Sequence, residues 1–252
     1  MSARVMTQYL QRIVAHLEGL HEKNAEAIQL AARLVADQVK SDKIVYAYGP
    51  GGHSNIGSQE LFFRSGGLMH VSAMLDEGTL LSGGALRSMA IERTPGYGKI
   101  VIDDYNLSQG DLLILINAYG INAAVIDAAQ EARRRGVKII GVTSVQHAQA
   151  TAAEHPARHP SKKNLYEIVD VVLDSNIEVG DAVITIEGID QPVGPLSTFA
   201  TAYLLNSMVA EAVNLLAQEG VQPPIWRSGN APDGDEVNAR FIDRFKGRIK
   251  KL

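Results

Sequence analysis

Glu60, Glu92 and His53 are the side chains whose type and spacing suit them to moving protons. A carboxylate or imidazole held beside a reacting atom serves as general base or acid, and the near-neutral pKa of histidine suits either task. His53 closes a glycine-rich turn, Gly49-Pro50-Gly51-Gly52-His53-Ser54-Asn55; Glu60 falls on the helix expected next, and Glu92 ends a later one. Each also has an ordinary reading. Glu60 stands four residues before Arg64, the spacing of a helix ion pair. Glu92 precedes Arg93 near a helix end, where surface charge is common, and His53 can simply orient a hydroxyl. No Ser-His-Asp order is defensible from spacing.

The turn is itself a binding element. Gly51 and Gly52 let backbone N–H groups face outward, and a helix opening at Ser54 and Asn55 offers its positive end to an anion or a sugar hydroxyl. It is neither a full G-x-G-x-x-G nor a P-loop, because no Gly-Lys-Ser/Thr follows, and it can also merely join strand to helix. Ser54, Thr143 and Ser144 are hydroxyl donors to a ligand, or a helix cap and turn bonds. Arg87 can neutralise an acidic substituent or pair with Glu77 or Asp76. His155 and His159 have metal-like spacing, but Pro156 and Pro160 oppose a helix there, so no metal is expected. Arg133-Arg134-Arg135 before Gly136 reads as compensation of a helix C-terminus.

The elements that must position these groups follow from periodicity. Helices are expected over 2–18 and 24–39 as a hairpin, over 54–65, 85–92 and 122–135, from about 195–197 to Gly220, and over 234–250, with a short one in 97–106. Strands are expected at 43–48, 69–74, 112–116 and 137–142, with strand-like runs at 169–173 and 182–187; 147–163 reads as a polar loop. Strand, helix and strand from 112 to 142 form a parallel βαβ unit with a right-handed crossover.

The chain has 252 residues, 46% of them hydrophobic, a formal net charge of −4 and no cysteine. That is enough for a large core, and it excludes disulfides, thiolate metal sites and cysteine nucleophiles. No basic face suggests nucleic acid. The N-terminus lacks the apolar run of a signal peptide, and no stretch reads as long and apolar enough to span a bilayer. A soluble, cytoplasmic protein is expected, with no nucleic acid or membrane partner.

Gly49 to Ser54 continuing through Glu60-Leu61-Phe62-Phe63-Arg64-Ser65-Gly66-Gly67, Gly84-Ala85-Leu86-Arg87-Ser88, Gly141-Val142-Thr143-Ser144, and Val193-Gly194-Pro195-Leu196-Ser197-Thr198 resemble the sugar isomerase (SIS) domain superfamily. More narrowly, these stretches and Asp235-Glu236-Val237-Asn238-Ala239-Arg240 look like a family of SIS proteins of about this length. The resemblance implies an α/β fold: a doubly wound, five-stranded parallel sheet between helices, in one domain over 1–252 with the N-terminal hairpin (about 2–39) and a helical tail (about 221–252). It also implies assembly at least as a dimer. The sugar is expected where the glycine turn meets the loop after the third parallel strand.

SIS proteins usually hold a phosphate in that loop with a run of the type Ser-x-Ser-Gly. This chain has Asn117-Ala118-Tyr119-Gly120-Ile121-Asn122, which keeps the glycine and supplies amides but no hydroxyl except the phenol. Asn117, Tyr119, Gly120 and Asn122 are therefore expected ligand contacts, with Tyr119 able to stack on a pyranose, and phosphate is expected to bind less tightly. The implied activity is aldose–ketose isomerisation through an enediol, without metal or organic cofactor, on a phosphorylated or otherwise acidic sugar. Glu60 and Glu92 would supply base and acid; Glu92 is similar, with a one-residue gap, to the acidic position after a Gly-Gly pair in the SIS etherase motif. A lyase or etherase acting on a sugar acid or sugar phosphate, and a non-catalytic sugar-phosphate sensor, remain open.

Overall fold

The computed structural model describes residues 4–252. Its central sheet contains β1 (Val45–Tyr48), β2 (Val71–Ala73), β3 (Leu112–Ile116), β4 (Lys138–Thr143) and β5 (Val171–Asp174), all parallel, in the order β2-β1-β3-β4-β5. Parallel strands with both faces covered become continuous apolar runs, as at Leu112–Ile116, where every residue is buried. Alternate residues serve opposite layers. Leu112, Ile114 and Ile116 pack in one core with residues of α1 (Val5–Lys40) and α7 (Ser197–Gln218). Leu113 and Leu115 pack in the other with residues of α4 (Tyr97–Asp104) and α5 (Ala123–Arg134). The expected five-stranded, doubly wound sandwich is the fold observed.

The expected N-terminal hairpin is instead one helix of 36 residues. The stretch Gly19-Leu20-His21-Glu22-Lys23 holds one glycine, costing about 1 kcal/mol, and no proline, so nothing forces a break. Burial passes straight through it at helical spacing, from Leu20 to Asn24, Ile28, Ala31, Val35 and Val39. Residues 2 and 3 of that expectation lie outside the described residues. Asn24 ties the helix to the sheet: its Nδ2 donates to the Asp174 carbonyl at 3.0 Å, and its Oδ1 accepts from the Asp174 N–H at 2.8 Å. A side chain thus satisfies the backbone at the end of an edge strand.

α2 (Ser54–Leu61) is shorter than expected, whereas α3 (Ala85–Glu92) has the expected bounds. The polar stretch after β4 begins with α6 (Val145–Ala150), capped by the Ser144 hydroxyl, which accepts from the His147 N–H at 3.1 Å. The run at 182–187 is β6 (Ala182–Ile184), paired antiparallel with β7 (Val193–Pro195), a hairpin that periodicity did not reveal. α8 (Gly234–Phe245) docks the tail through Phe245, which joins Ile44, Met69 and Trp226 in a separate apolar cluster. By length and composition α7 can cross a bilayer, with mean hydropathy 1.2 over its most apolar window, which corrects the sequence expectation. Its Leu204, Leu205, Met208, Ala212 and Leu216 are buried in the core shared with α1.

Candidate functional site

Leaving β1, the chain turns toward β2, while β3 lies on β1's other side. Open α/β sheets form their ligand crevice at such a switch point, beyond the carboxyl ends of the strands. A cleft of about 300 Å³ lies here, lined by the turn Gly51–Ser54, one side of α2 with Glu60, Glu92 at the end of α3, Asn117–Tyr119 after β3, Asp181, and the first turns of α7.

Asn117 organises the cleft. It is 2% exposed, and its Nδ2 donates to Glu92 Oε1 at 3.1 Å. Its Oδ1 accepts the N–H of Gly120 at 2.7 Å and that of Tyr119 at 3.3 Å, an Asx turn that folds the loop back on its own side chain. Burial raises the pKa of Glu92, and the Asn117 hydrogen bond and the charge of Arg93 act against that rise. The carboxyl group lies directly against the glycine turn. Gly51 has φ of +88°, and a Cβ there would land on the Glu92 carboxyl, so both conformation and space demand glycine.

Eight of the sequence-predicted residues meet in the cleft: Gly51, Gly52, His53, Ser54, Glu60, Glu92, Asn117 and Tyr119. Glu60 Oε1 accepts from Arg64 Nε at 3.1 Å and from Asn206 Nδ2 at 3.0 Å, so the ordinary helix ion pair is present and the carboxylate still faces the cleft. His53 is exposed at the N-terminus of α2. The Tyr119 ring stacks on His147 with centroids 3.9 Å apart, and burial raises its phenol pKa.

The other six predicted contacts do not line the cleft. Asn55 is buried and braces the turn, donating to the carbonyls of Gly51 at 3.1 Å and Thr79 at 2.9 Å. Asn122 Nδ2 donates to the Ala157 carbonyl at 3.2 Å. Thr143 is fully buried behind Gly120, and the Ser144 hydroxyl donates to the Ile177 carbonyl at 2.6 Å. Gly120 has φ of +61°, and its N–H is taken by Asn117. Arg87 is exposed, with Nη1 3.4 Å from the Glu77 carbonyl, so it meets Glu77, as its alternative reading had it, but through the backbone and not the carboxylate.

The arginine cluster and the two histidines of the polar loop find partners within the chain. Arg134 and Arg135 both bind Glu131, holding its pKa down to about 2, and Arg133 donates to the Ile168 carbonyl at 2.7 Å. His159 Nε2 meets Asp127 at 3.1 Å, while His155 Nδ1 accepts the Ala157 N–H at 3.2 Å.

Sequence reasoning missed Asp181, Ser197, Thr198 and Thr201, which line the cleft's far wall. Asp181 Oδ1 accepts the N–H groups of Leu196 at 2.9 Å and Ser197 at 2.8 Å, and Oδ2 accepts the Ser197 hydroxyl at 2.5 Å. A carboxylate on the first amides of a helix complements its dipole. The available signals were Gly180-Asp181 and Ser197-Thr198 at the start of a long helix, but nothing local connects them. Among the described residues, no lysine or arginine lines the cleft.

The sequence profile described as SIS domain matches residues 8–144, a span holding the glycine turn, Glu92 and the loop after β3. The chain belongs to the SIS-domain family. A UPF0309 protein of Halalkalibacterium halodurans is 35% identical over 248 residues, covering 98% of this chain and 97% of its own length. Among solved structures, the SIS domain described here resembles a phosphoheptose isomerase of Neisseria gonorrhoeae, with TM-score 0.55 and 16% identity over 84% of this chain and 97% of that one. It also resembles the NanR protein of Vibrio vulnificus, complexed with ManNAc-6P, with TM-score 0.50 and 14% identity over 99% of this chain and 71% of that one. At these identities the structural likeness concerns the fold.

Proposed function

We propose that this SIS-domain protein is a cofactor-independent sugar isomerase that moves a proton between adjacent carbons through an enediol. The observation that carries the reading is Glu92, a carboxylate with a burial-raised pKa, held by Asn117 in a cleft at the sheet's switch point. A base poised above the ordinary carboxylate range is suited to abstract a proton from the carbon beside a carbonyl. Glu60, on the facing helix, supplies the second proton-transfer group. His53 and the Ser54 hydroxyl, both in the cleft lining, are the donors this reading assigns to ring opening and a developing oxyanion. The bound form on this reading is a cytoplasmic assembly of at least two copies, with 1–252 acting as one unit. Met6, Leu10 and Val14, one turn apart on α1 and 66%, 60% and 45% exposed, support a second copy as cover.

Proton NMR in deuterated water with a panel of sugars and sugar phosphates tests the chemistry, because an enediol exchanges a carbon-bound hydrogen even when net conversion is small. Glu92→Gln and Glu60→Gln should each lower the exchange rate by on the order of 10² while the fold is kept. Full exchange in both variants would remove these carboxylates from the mechanism, and no exchange with any panel member would remove the isomerase.

A further inference from the structure

Three backbone anion receptors open on the cleft; at two of them the amides are taken by the protein's own oxygens, and beside the third stands a carboxyl group. Loop amides and helix N-termini attract anions through convergent N–H groups. In the loop after β3, the N–H groups of Tyr119 and Gly120 are taken by Asn117 Oδ1. At the start of α7, the Leu196 and Ser197 amides and the Ser197 hydroxyl are taken by the Asp181 carboxylate. At the glycine turn that leads into α2, the Glu92 carboxyl occupies the space beside Gly51.

The fixed charge of the walls has one sign. Glu60, Glu92 and Asp181 line the cleft, and of these only Glu60 forms an ion pair among the described residues. Arg87, the basic side chain given a ligand role in the sequence, lies elsewhere, at the Glu77 carbonyl. A phosphate entering this space would bring close to two negative charges toward two carboxylates that form no ion pair among the described residues. To reach the amides of α7 or of the loop after β3 it would first have to displace Asp181 or Asn117, and to reach the glycine turn it would have to approach the Glu92 carboxyl. A neutral sugar meets none of these obstacles. Its hydroxyls donate to the carboxylates and accept from Ser54, Thr198 and Thr201, and the Tyr119 ring, fixed against His147, offers a flat apolar face.

We propose that the cleft selects a sugar bearing no anionic group and discriminates against the phosphorylated form of the same sugar, because Asp181 and Asn117 already fill two of its anion receptors and the Glu92 carboxyl stands against the third. The proposal rests on the carbohydrate reading of the site and names its substrate class.

Calorimetric titration of the full chain with matched pairs tests it: glucose and glucose 6-phosphate, fructose and fructose 6-phosphate, glucosamine and glucosamine 6-phosphate. In a pair that binds, the unphosphorylated member should bind about tenfold more tightly or better. Asp181→Asn keeps an acceptor for the α7 amides and removes the charge, so it should shift the affinity ratio toward the phosphorylated member by about tenfold. Glu92→Gln, the second variant, should shift the ratio the same way and serves if the first does not fold. Tighter binding of a phosphorylated member by the native protein overturns the proposal and leaves the carbohydrate reading standing. An unchanged ratio in a folded variant also overturns it. Binding of a neutral sugar without hydrogen exchange upholds the selectivity and removes only the isomerase, whereas no binding by any member overturns both.

Discussion

Asn117→Ala tests the claim that one buried carboxamide holds both the loop after β3 and the proton-transfer carboxylate. The substitution removes an acceptor from the N–H groups of Gly120 and Tyr119 and a donor from Glu92, at 2.7, 3.3 and 3.1 Å. Neutral bonds contribute about 1 kcal/mol each and one to a charged group about 1.5–3 kcal/mol, so the loss should be on the order of 3–5 kcal/mol. Native stabilities are roughly 5–15 kcal/mol, and in a chain of this size each kcal/mol moves Tm by about 2–4 °C, so Tm should fall by roughly 6–20 °C. Urea unfolding followed by circular dichroism measures this, with the m-value unchanged. A double-mutant cycle with Glu92→Ala isolates the contact and should return a coupling of about 1–2 kcal/mol. A loss below about 1 kcal/mol, or additivity within about 0.3 kcal/mol, would refute the reasoning.

The same variant has a signed pH consequence. Burial raises the Glu92 pKa and the Asn117 hydrogen bond lowers it, so deleting Asn117 should raise it further and move the acid limb of the hydrogen-exchange profile to higher pH. A carboxyl with a raised folded-state pKa keeps its proton where the unfolded chain has released it. This group's contribution to stability is therefore greatest below the unfolded value, 4.5, and is lost as pH rises through the folded value. That decline should steepen in Asn117→Ala and flatten in Glu92→Gln.

Gly51→Ala places a Cβ on the Glu92 carboxyl at φ of +88°, and backbone strain of about 1–2 kcal/mol adds to the displacement of the acid. It should lower hydrogen exchange more than Gly52→Ala does, since only the Leu81 side chain stands near Gly52, at 3.6 Å; equal effects would count against the close approach. His70 is buried, which lowers its pKa to about 4, so it is neutral at pH 7 and meets Asp42 at 3.2 Å through a hydrogen bond. Because the unfolded chain takes up that proton first, stability should fall by roughly 3 kcal/mol as pH drops from the unfolded value of 6.5 toward 4, and His70→Asn should flatten the slope. Light scattering should find at least a dimer, and Met6→Glu with Leu10→Glu should shift it toward monomer; a native chain that is monomeric at micromolar concentration would count against the apolar stripe on α1 as an interface.

Elements specified by neighbours along the chain were legible in the sequence. Leu112–Ile116 reads as a strand because a parallel strand covered on both faces must be apolar throughout, and Ala85–Glu92 reads as a helix because glycine and proline bound it. Elements decided at long range were not. The helix expected to run to about 65 ends at Leu61 because Phe63, at φ of +52°, leaves it to pack on Trp226 with ring centroids 4.5 Å apart. The tail then holds the chain there, with Gly66 N–H on the Trp226 carbonyl at 2.8 Å and Trp226 N–H on the Gly67 carbonyl at 2.9 Å. Helical periodicity through 54–65 carries no trace of a partner so distant in sequence.

The candidate site divides the same way, and the division explains why its charged side chains were the least legible part. The glycine turn and the loop after β3 are consecutive residues at strand ends, so both were found, as was Glu92 at the end of a well-bounded helix. Whether a group faces the cleft depends on which way an irregular segment carries it. Asp181, unremarked in sequence, shows the consequence by spanning from β6's edge to the first amides of α7. Arg87 on α3, open in sequence to an acidic ligand or to Glu77 or Asp76, meets the Glu77 carbonyl of the irregular stretch before its helix. Exchanging one for the other changes the sign of the site while the turn, the helix and the loop stay as expected. A fold resemblance therefore carries over where the cleft lies, because backbone places it, but the charge of its lining is set by side chains from segments such as 176–196, which have to be read in each chain separately.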